Sequence, residues 1–257
     1  MDEERVYTAA VLVIGNEVLS GRIQDANLAF LAGRLKAQGI RLREARVIPD
    51  VDSAIIDAVN TLRAAHDYVF TTGGIGPTHD DITAECIARA FGVALERNPD
   101  AVRILEDHYG DELNEARLRM ANIPAGGALL DNPVSRAPGF RLGNVYVLPG
   151  VPRIMQAMFD GFRHTLAGGR PLRSRTVTAF LPESQVAEGL AAIQARRPEV
   201  EIGSYPWVRK GRFGAALVVR AVEASDLDTV SDEIAAMVRA LGCEPEITEG
   251  ESAPPPD

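Results

Sequence analysis

Asp67-Tyr-Val-Phe-Thr-Thr-Gly-Gly-Ile-Gly-Pro-Thr-His-Asp-Asp-Ile-Thr83 decides how the rest of the chain is read. An apolar run of β-branched and aromatic residues is cut by glycines, meets two adjacent carboxylates, and then takes up helical periodicity. A buried strand that ends in a glycine loop before a helix offers converging backbone N–H groups to an anion. The acids that follow can hold a divalent cation against phosphate oxygens, because hard cations prefer oxygen ligands. These residues alone predict a phosphate-bearing ligand together with a metal.

Upstream, residues 6–14 are mostly apolar and β-branched, the pattern of a strand buried on both faces, and they break at Gly15-Asn16-Glu17. Asn27 opens a helix with Leu28, Leu31, Ala32 and Leu35 at helical spacing and Gly39 at its close. Residues 40–48 form a second strand, broken at Pro49-Asp50. Asp52 or Ser53 caps a helix carrying Ile55, Ile56, Val59 and Leu62. The quoted stretch is the third strand, and Asp80 or Asp81 begins the next helix. Of the two acids, Asp80 is the expected cap and Asp81 the expected metal residue. Strand and helix in alternation specify a parallel sheet covered on both faces. Right-handed crossovers gather the C-terminal strand ends on one rim, where open α/β sheets bind their ligands. Gly15-Asn16-Glu17, Asp50 and the 73–81 loop are therefore expected together.

Asn98-Pro99 pairs an N-cap with a first-turn proline, starting a helix to about Tyr109. Residues 111–122 read as a further short, charged helix, and 128–130 as a short strand. After the irregular Asn132-Pro-Val-Ser-Arg-Ala-Pro-Gly139, residues 140–142 and 145–148 form a hairpin across Gly143-Asn144. Pro149-Gly-Val-Pro152 then opens a helix with Ile154, Met158, Phe159, Phe162 and Leu166 inward. Ala167-Gly-Gly-Arg-Pro171 marks a domain boundary, giving domains at 1–168 and 172–248. The second reads β-α-β-β-α, a small two-layer α+β domain. Residues 249–257, rich in Pro and Glu, read as a disordered tail.

Composition narrows the function classes. With 46% apolar and 25% charged residues among 257, the chain is an ordinary globular protein of one or two domains. Its formal charge of −9 argues against nucleic-acid or anionic-membrane partners, which call for a basic footprint. The start lacks the basic and apolar regions of a signal peptide, and no apolar run approaches the roughly 20 residues of a membrane span. A cytoplasmic protein is expected, with Cys86 and Cys243 reduced. His66, His79, His108 and His164 show no zinc spacing, and His79 is taken as a bystander in its loop. Neither a Gly-x-Ser-x-Gly elbow nor a Walker loop is present. Trp207, Arg209, Lys210 and Arg212 form a basic, aromatic hairpin tip, read as an exposed loop or a subunit contact ahead of nucleic-acid binding.

Each candidate also has a plainer explanation. The glycines serve a phosphate or merely a tight turn with positive φ. Glu17 is a ligand or a solvated loop acid; Asp50 is a ligand or a turn residue after proline. Ser135 and Arg136 reach a phosphate or lie on a surface loop. Two adjacent acids plus Thr83 exceed what capping needs, and they repel each other unless a cation or donor is near.

Four ordered motifs carry a family resemblance: Gly15-Asn-Glu-Val-Leu-Ser-Gly-Arg-Ile-Gln-Asp-Ala-Asn27, Thr72-Gly-Gly-Ile-Gly-Pro-Thr-His-Asp-Asp-Ile-Thr83, Asn132-Pro-Val-Ser-Arg-Ala-Pro-Gly-Phe140 and Leu148-Pro-Gly-Val-Pro152. Together they resemble the CinA-like branch of the MoaB/Mog molybdopterin-binding family, a domain type that also heads eukaryotic FAD synthases. The likeness covers residues 5–245, including Ile202-Gly-Ser-Tyr-Pro206 in a KH-like small domain. It implies a three-layer α/β/α domain, with a mostly parallel sheet, that binds a pterin or nucleotide pyrophosphate at the strand rim. Carried over, Asp50 and Asp81 serve Mg²⁺-dependent adenylyl chemistry. Gly15, Glu17, Gly73, Gly74, Gly76, Pro77, Thr78, Thr83, Asn132, Gly139, Pro149 and Gly150 line the ligand, while Asp81, Asp50, Glu17 and Asp80 hold Mg, or Mn or Co.

Relatives of this type imply metal-dependent hydrolysis of ADP-ribose or FAD. The alternative is a molybdopterin carrier or sensor without turnover, and a third is a fold that has lost its ligand. The amidohydrolase domain of longer relatives, and its activity, are expected to be absent. A homo-oligomer, dimer or trimer, is implied. Asn16 replaces the usual Asp, and Ile154 the usual Glu, which weighs against hydrolysis more than against binding.

Overall fold

The structure, a computed structural model, describes residues 5–209 and 211–251. The chain divides into two compact units, Met1–Gly169 and Arg170–Asp257.

The first unit runs β1 (Tyr7–Ile14), α1 (Asn16–Leu19), α2 (Asn27–Ala37), β2 (Ile40–Ile48), α3 (Asp52–Ala65), β3 (Tyr68–Thr72), α4 (Thr83–Phe91), β4 (Leu95–Arg97), α5 (Pro99–Tyr109), α6 (Glu115–Leu118), β5 (Asn122–Pro124), β6 (Ala128–Leu130), β7 (Gly139–Leu142), β8 (Val145–Leu148) and α7 (Pro152–Phe162). Its six-stranded sheet has the order β2-β1-β3-β8-β7-β6. The pairs β1–β2, β1–β3 and β3–β8 are parallel, and β7 turns antiparallel against β8 and β6.

Successive residues of β1 feed opposite layers. Leu12 and Ile14 pack with Ile55, Val59 and Leu62 of α3 and Ile87 of α4. Val11 and Val13 pack with Leu31 and Leu35 of α2 and Phe159 of α7. Fully burying a large apolar side chain is worth about 1.5–3 kcal/mol, so a strand apolar on both faces commits the sheet to cover on both sides. This is the expected three-layer α/β/α architecture. Because α2 covers one face and α3 the other, the chain changes sides around β1, and the strands flanking that point open a crevice at their C-terminal ends.

Two local expectations fail. Helix α3 has Val51 in the cap position with no side-chain cap bond, so neither Asp52 nor Ser53 caps it. Residues 111–122 are not one helix: a 3₁₀ turn over Gly110–Glu112 leads into the four-residue α6, and a second 3₁₀ turn covers Arg119–Ala121. The Asn114 side chain accepts from the Arg117 amide and restarts the helix where a longer one would have continued. The second turn feeds β5, which pairs with β4 as a separate two-stranded sheet. The expected Asn98 cap does form, its Oδ1 accepting from the amides of Asp100 and Ala101 at 3.0 Å each.

The second unit contains β9 (Arg173–Ala179), α8 (Glu183–Arg196), β10 (Glu201–Arg209), β11 (Arg212–Ala221), α9 (Ala224–Ala240) and β12 (Glu246–Glu249). Its sheet is antiparallel in the order β10-β11-β9-β12. Val186, Leu190 and Ile193 of α8 and Val230, Ile234 and Val238 of α9 pack against Val177, Leu217 and Val219 of the sheet. The expected β-α-β-β-α order thus gains a sixth element, completing a split β-α-β pattern. Residues 249–251 do not belong to the expected tail. Glu249 pairs with Arg175 in the sheet, the Gly250 amide donates to the Ser174 carbonyl, and Glu251 pairs with Arg220. Residues 252–257 of that tail lie outside the described residues.

Among the described residues, no helix is long and apolar enough to cross a membrane. Cys86 and Cys243 are free thiols, and burial pushes Cys86 up to about 11.

Candidate functional site

The rim is built by loops following β1, β3 and β8. At the end of β3, the Gly73 amide donates to the Leu148 carbonyl, which ties the glycine loop to β8. Gly73 has φ +104°, and a Cβ there would lie 2.1 Å from the Ile14 carbonyl oxygen. Only glycine lets the loop cross so close to the end of β1. Gly74, at φ +66°, turns the chain toward Thr83, where the carbonyl of Gly74 accepts from the Thr83 amide at 3.0 Å. The Thr83 hydroxyl donates to the Gly73 carbonyl at 3.1 Å, in a fully buried position.

This bracing leaves the amides of Gly74, Ile75 and Gly76 without an acceptor among the described residues. Consecutive free amides in a glycine turn make a concave anion site.

The acids after the loop divide their tasks differently from expectation. Helix α4 begins at Thr83 with Ile82 in the cap position and no side-chain cap bond, so neither Asp80 nor Asp81 caps it. The turn through Thr78–Asp81 and the Thr83 bond to Gly74 already fix the entry of the chain. Asp81 instead folds back on its own loop. Its Oδ2 accepts from the Thr78 amide at 2.8 Å and from the Thr78 hydroxyl at 2.5 Å. Asp80 and His79 remain exposed.

Across the rim, the Asn16 amide donates to Asp50 Oδ2 at 2.8 Å, joining the loops after β1 and β2. Asn16 thereby serves through its backbone, and its side chain is exposed. After β8, the Asn27 carboxamide donates to the Gly150 carbonyl at 2.8 Å. Asn132 organises the remaining loop: Oδ1 accepts from the amides of Val134 and Ser135, and Nδ2 donates to Ser135 Oγ and the Ala137 carbonyl.

These loops enclose a cleft of about 480 Å³, within the range of small-molecule sites. Of the expected residues, Glu17, Gly73, Gly74, Gly76, Asp81, Asn132, Pro149 and Gly150 line it, as does Ser135. Gly15, Asp50, Pro77, Thr78, Asp80, Thr83 and Gly139 do not; Thr78 and Thr83 act on the loop from behind, and Gly139 is buried in β7. Arg136 pairs with Asp131 instead of facing the cleft. Asn27 and Thr72, not assigned from the sequence, stand in the wall, each at most 3% exposed. Asn27 Oδ1 and Thr72 Oγ1 have no hydrogen-bond partner among the described residues. Each orphan costs on the order of 1–3 kcal/mol, as expected beside a site whose polar ligand supplies the missing bonds. Asn27 closes the first of the quoted motifs and Thr72 opens the second, and that was the sequence signal for both.

Among the described residues, no three His, Cys, Asp or Glu side chains converge as a metal cage. Asp81 and Glu17 nevertheless line one cleft with the free amides. One or two carboxylates beside a phosphate site suit a cation completed by phosphate oxygens and water, the usual habit of Mg²⁺.

Residues 10–167 match the family described as probable molybdopterin binding domain. The chain belongs to that family. Residues 171–246 of this molybdopterin-binding-family chain match the FAD synthase middle domain. A protein of Pyrobaculum calidifontis is 37% identical over 211 residues, 77% of this chain and 80% of its own length. A CinA-like protein of Desulfosudis oleivorans is 38% identical over 209 residues; the match spans 76% of this chain and 51% of that protein, about half of it. Among solved structures, the protein CinA of Thermoplasma acidophilum, titled as being of unknown function, aligns with a TM-score of 0.58 at 36% identity. That alignment covers 62% of this chain and 98% of the other. The resemblance carried by the four motifs is thus a family relationship, of the CinA-like kind.

Proposed function

We propose that the cleft binds a ligand with a phosphate or pyrophosphate group, of the pterin or nucleotide class. With a divalent cation, the protein then hydrolyses the pyrophosphate bond of an ADP-ribose-type or FAD-type dinucleotide. The observation that carries this reading is the set of free amides at Gly74, Ile75 and Gly76 sharing a cleft with Asp81. The match of residues 171–246 to the FAD synthase middle domain supports a nucleotide-type ligand.

In the reaction, water oxygen forms a bond to one phosphorus as the bridging P–O bond breaks. Two phosphomonoesters leave, and both protons of the water pass to phosphate oxygens or to solvent. A bound cation would supply Lewis acidity at phosphoryl oxygen and help ionise water. The chain's own residues do the rest. The amides of the glycine loop hold phosphate oxygens, and Thr78 fixes the Asp81 carboxylate so that its other oxygen stays available at the cleft. Asp50 fixes the Asn16 backbone and, through it, the loop bearing Glu17.

A second reading is a pterin-binding protein without turnover, with molybdopterin as its ligand. The absence of a converged acid cluster among the described residues favours it, as do Asn16 and Ile154 at positions where the family carries acids.

Incubation with ADP-ribose and FAD in Mg²⁺, Mn²⁺ or Co²⁺ separates the two. Metal-dependent product formed by the wild type and lost in Asp81→Asn is expected. No product from either dinucleotide with any of the metals would end the hydrolase reading, and a molybdopterin titration without binding would end the second. Association into a dimer or trimer belongs to the same proposal, and sedimentation measures it.

A further inference from the structure

The main cleft is lined by Glu17, Asp25 and Asp81 and by no lysine or arginine. That lining is repulsive to a pyrophosphate, which carries more negative charge than a single phosphate. A smaller cavity of about 160 Å³ adjoins it, sharing Ile75, Gly76, Asp81 and Met120. Arg119 lines this second cavity with Glu85 and Asp81, and it is the one cationic side chain lining either space among the described residues.

Arg119 makes no ion pair among the described residues, although two acids face its cavity. Its backbone, by contrast, is fixed. The turn Arg119–Ala121 ends on a fully buried Ala121 whose carbonyl accepts from the Asn98 amide at 2.8 Å, and Ile123 of β5 is buried next to it. An exposed guanidinium on an anchored turn, left without a carboxylate, is available for two-pronged binding of phosphate oxygens.

Resting on the phosphate-ligand reading above, we propose that Arg119 forms a second anion subsite. One phosphate of the ligand takes the amides of the glycine loop, and its neighbour takes the Arg119 guanidinium across Gly76. The site then selects a diphosphate over a monophosphate, which accounts for a cleft otherwise lined by acids.

The test is calorimetric titration, in Mg²⁺, of inorganic pyrophosphate and orthophosphate into wild type, Arg119→Met and Arg119→Lys. Wild type is expected to prefer pyrophosphate. Arg119→Met, which keeps an apolar stem of similar length, is expected to lose about 10- to 100-fold in pyrophosphate affinity. Orthophosphate affinity stays within about twofold, because the glycine loop holds a single phosphate without Arg119. Arg119→Lys recovers part of the loss, since a point charge lacks the fork. Unchanged pyrophosphate affinity in Arg119→Met overturns the subsite, and so does an equal loss for both anions, which is a general field effect.

Turnover of ADP-ribose separates this from the parent reading. Cleavage at unchanged kcat/KM by Arg119→Met leaves the hydrolase standing and removes the subsite. Expected pyrophosphate behaviour without cleavage of any dinucleotide does the reverse. Wild type that binds neither anion overturns both.

Discussion

Asn27 and Gly150 stand 123 positions apart in sequence, yet the carboxamide of one donates to the carbonyl of the other at 2.8 Å in the wall of the cleft. This bond fixes the loop that enters α7 against the first turn of α2. Asn27→Ala is expected to lower unfolding free energy by about 0.5–1.5 kcal/mol, the net worth of one part-buried hydrogen bond. Asn27→Asp is expected to be at least as damaging near neutral pH, because a buried carboxylate has no hydrogen to offer Gly150. Urea unfolding midpoints compare the two, and Asp as good as Asn would remove the bond from any structural role.

The Asp81 carboxylate owes its orientation to Thr78. Asp81→Asn is expected to lower kcat/KM on ADP-ribose by about 10²–10³-fold, while stability stays within about 0.5 kcal/mol. Thr78→Val keeps the amide donor and loses only the hydroxyl, so a loss of about tenfold is expected. Steady-state kinetics at saturating Mg²⁺ measure both, and a Thr78→Val loss larger than that of Asp81→Asn would reverse the assigned order.

At Gly74 the backbone and a side chain both resist a methyl group. With φ at +66° and the site of a Cβ only 2.2 Å from Thr83 Oγ1, Gly74→Ala is expected to cost at least about 2 kcal/mol. Removing the opposing hydroxyl in Gly74→Ala/Thr83→Ala relieves the overlap but not the φ strain. The double variant is therefore expected to be more stable than the sum of the singles. Strict additivity in thermal unfolding would show that the overlap is relaxed elsewhere.

Asp67, at the entry to β3, is one source of acid sensitivity. Partial burial pushes its carboxyl up, but the Thr8 amide, the Arg5 guanidinium and the Thr8 hydroxyl together hold it below the ordinary value. The folded form therefore titrates below the unfolded chain, whose aspartates titrate near 3.9. Its contribution is complete above that value and is lost as pH falls through the lower folded value. Asp67→Asn is expected to be less stable near neutrality and to show a shallower loss toward acid. Urea midpoints between about pH 6 and about pH 2 read the slope, and parallel curves would exclude Asp67 as a source.

Much of the scaffold was legible because its signals are local. Residues 6–14 and 40–48 are long runs with clear strand composition, and the Asn98-Pro99 cap has a one-residue mechanism. Elements that depend on distant partners were not. β12 is only four residues long and acquires its identity from Arg175–Thr178 beside it. The helix expected over 111–122 has the right charges, but Asn114 caps in its middle and Asn122–Pro124 pairs with β4.

The site divides in the same way. Glycines with positive φ announce themselves, whereas nothing in Asp80-Asp81 reveals that Thr83 closes the loop and frees both acids from capping. Asp50 shares the expected rim, but its carboxylate engages the Asn16 backbone. Arg119 gave no signal at all, since an arginine in a charged stretch looks the same whether or not a partner awaits it.

Glu249 lies opposite Arg175 in the last sheet, so the first and last strands of the second unit run side by side. Entry and exit of that unit are therefore neighbours, and joining them needs only a short connection. Such a fold behaves as a cassette: it can be re-ended at the β10–β11 turn, or carried between chains, without unthreading its core.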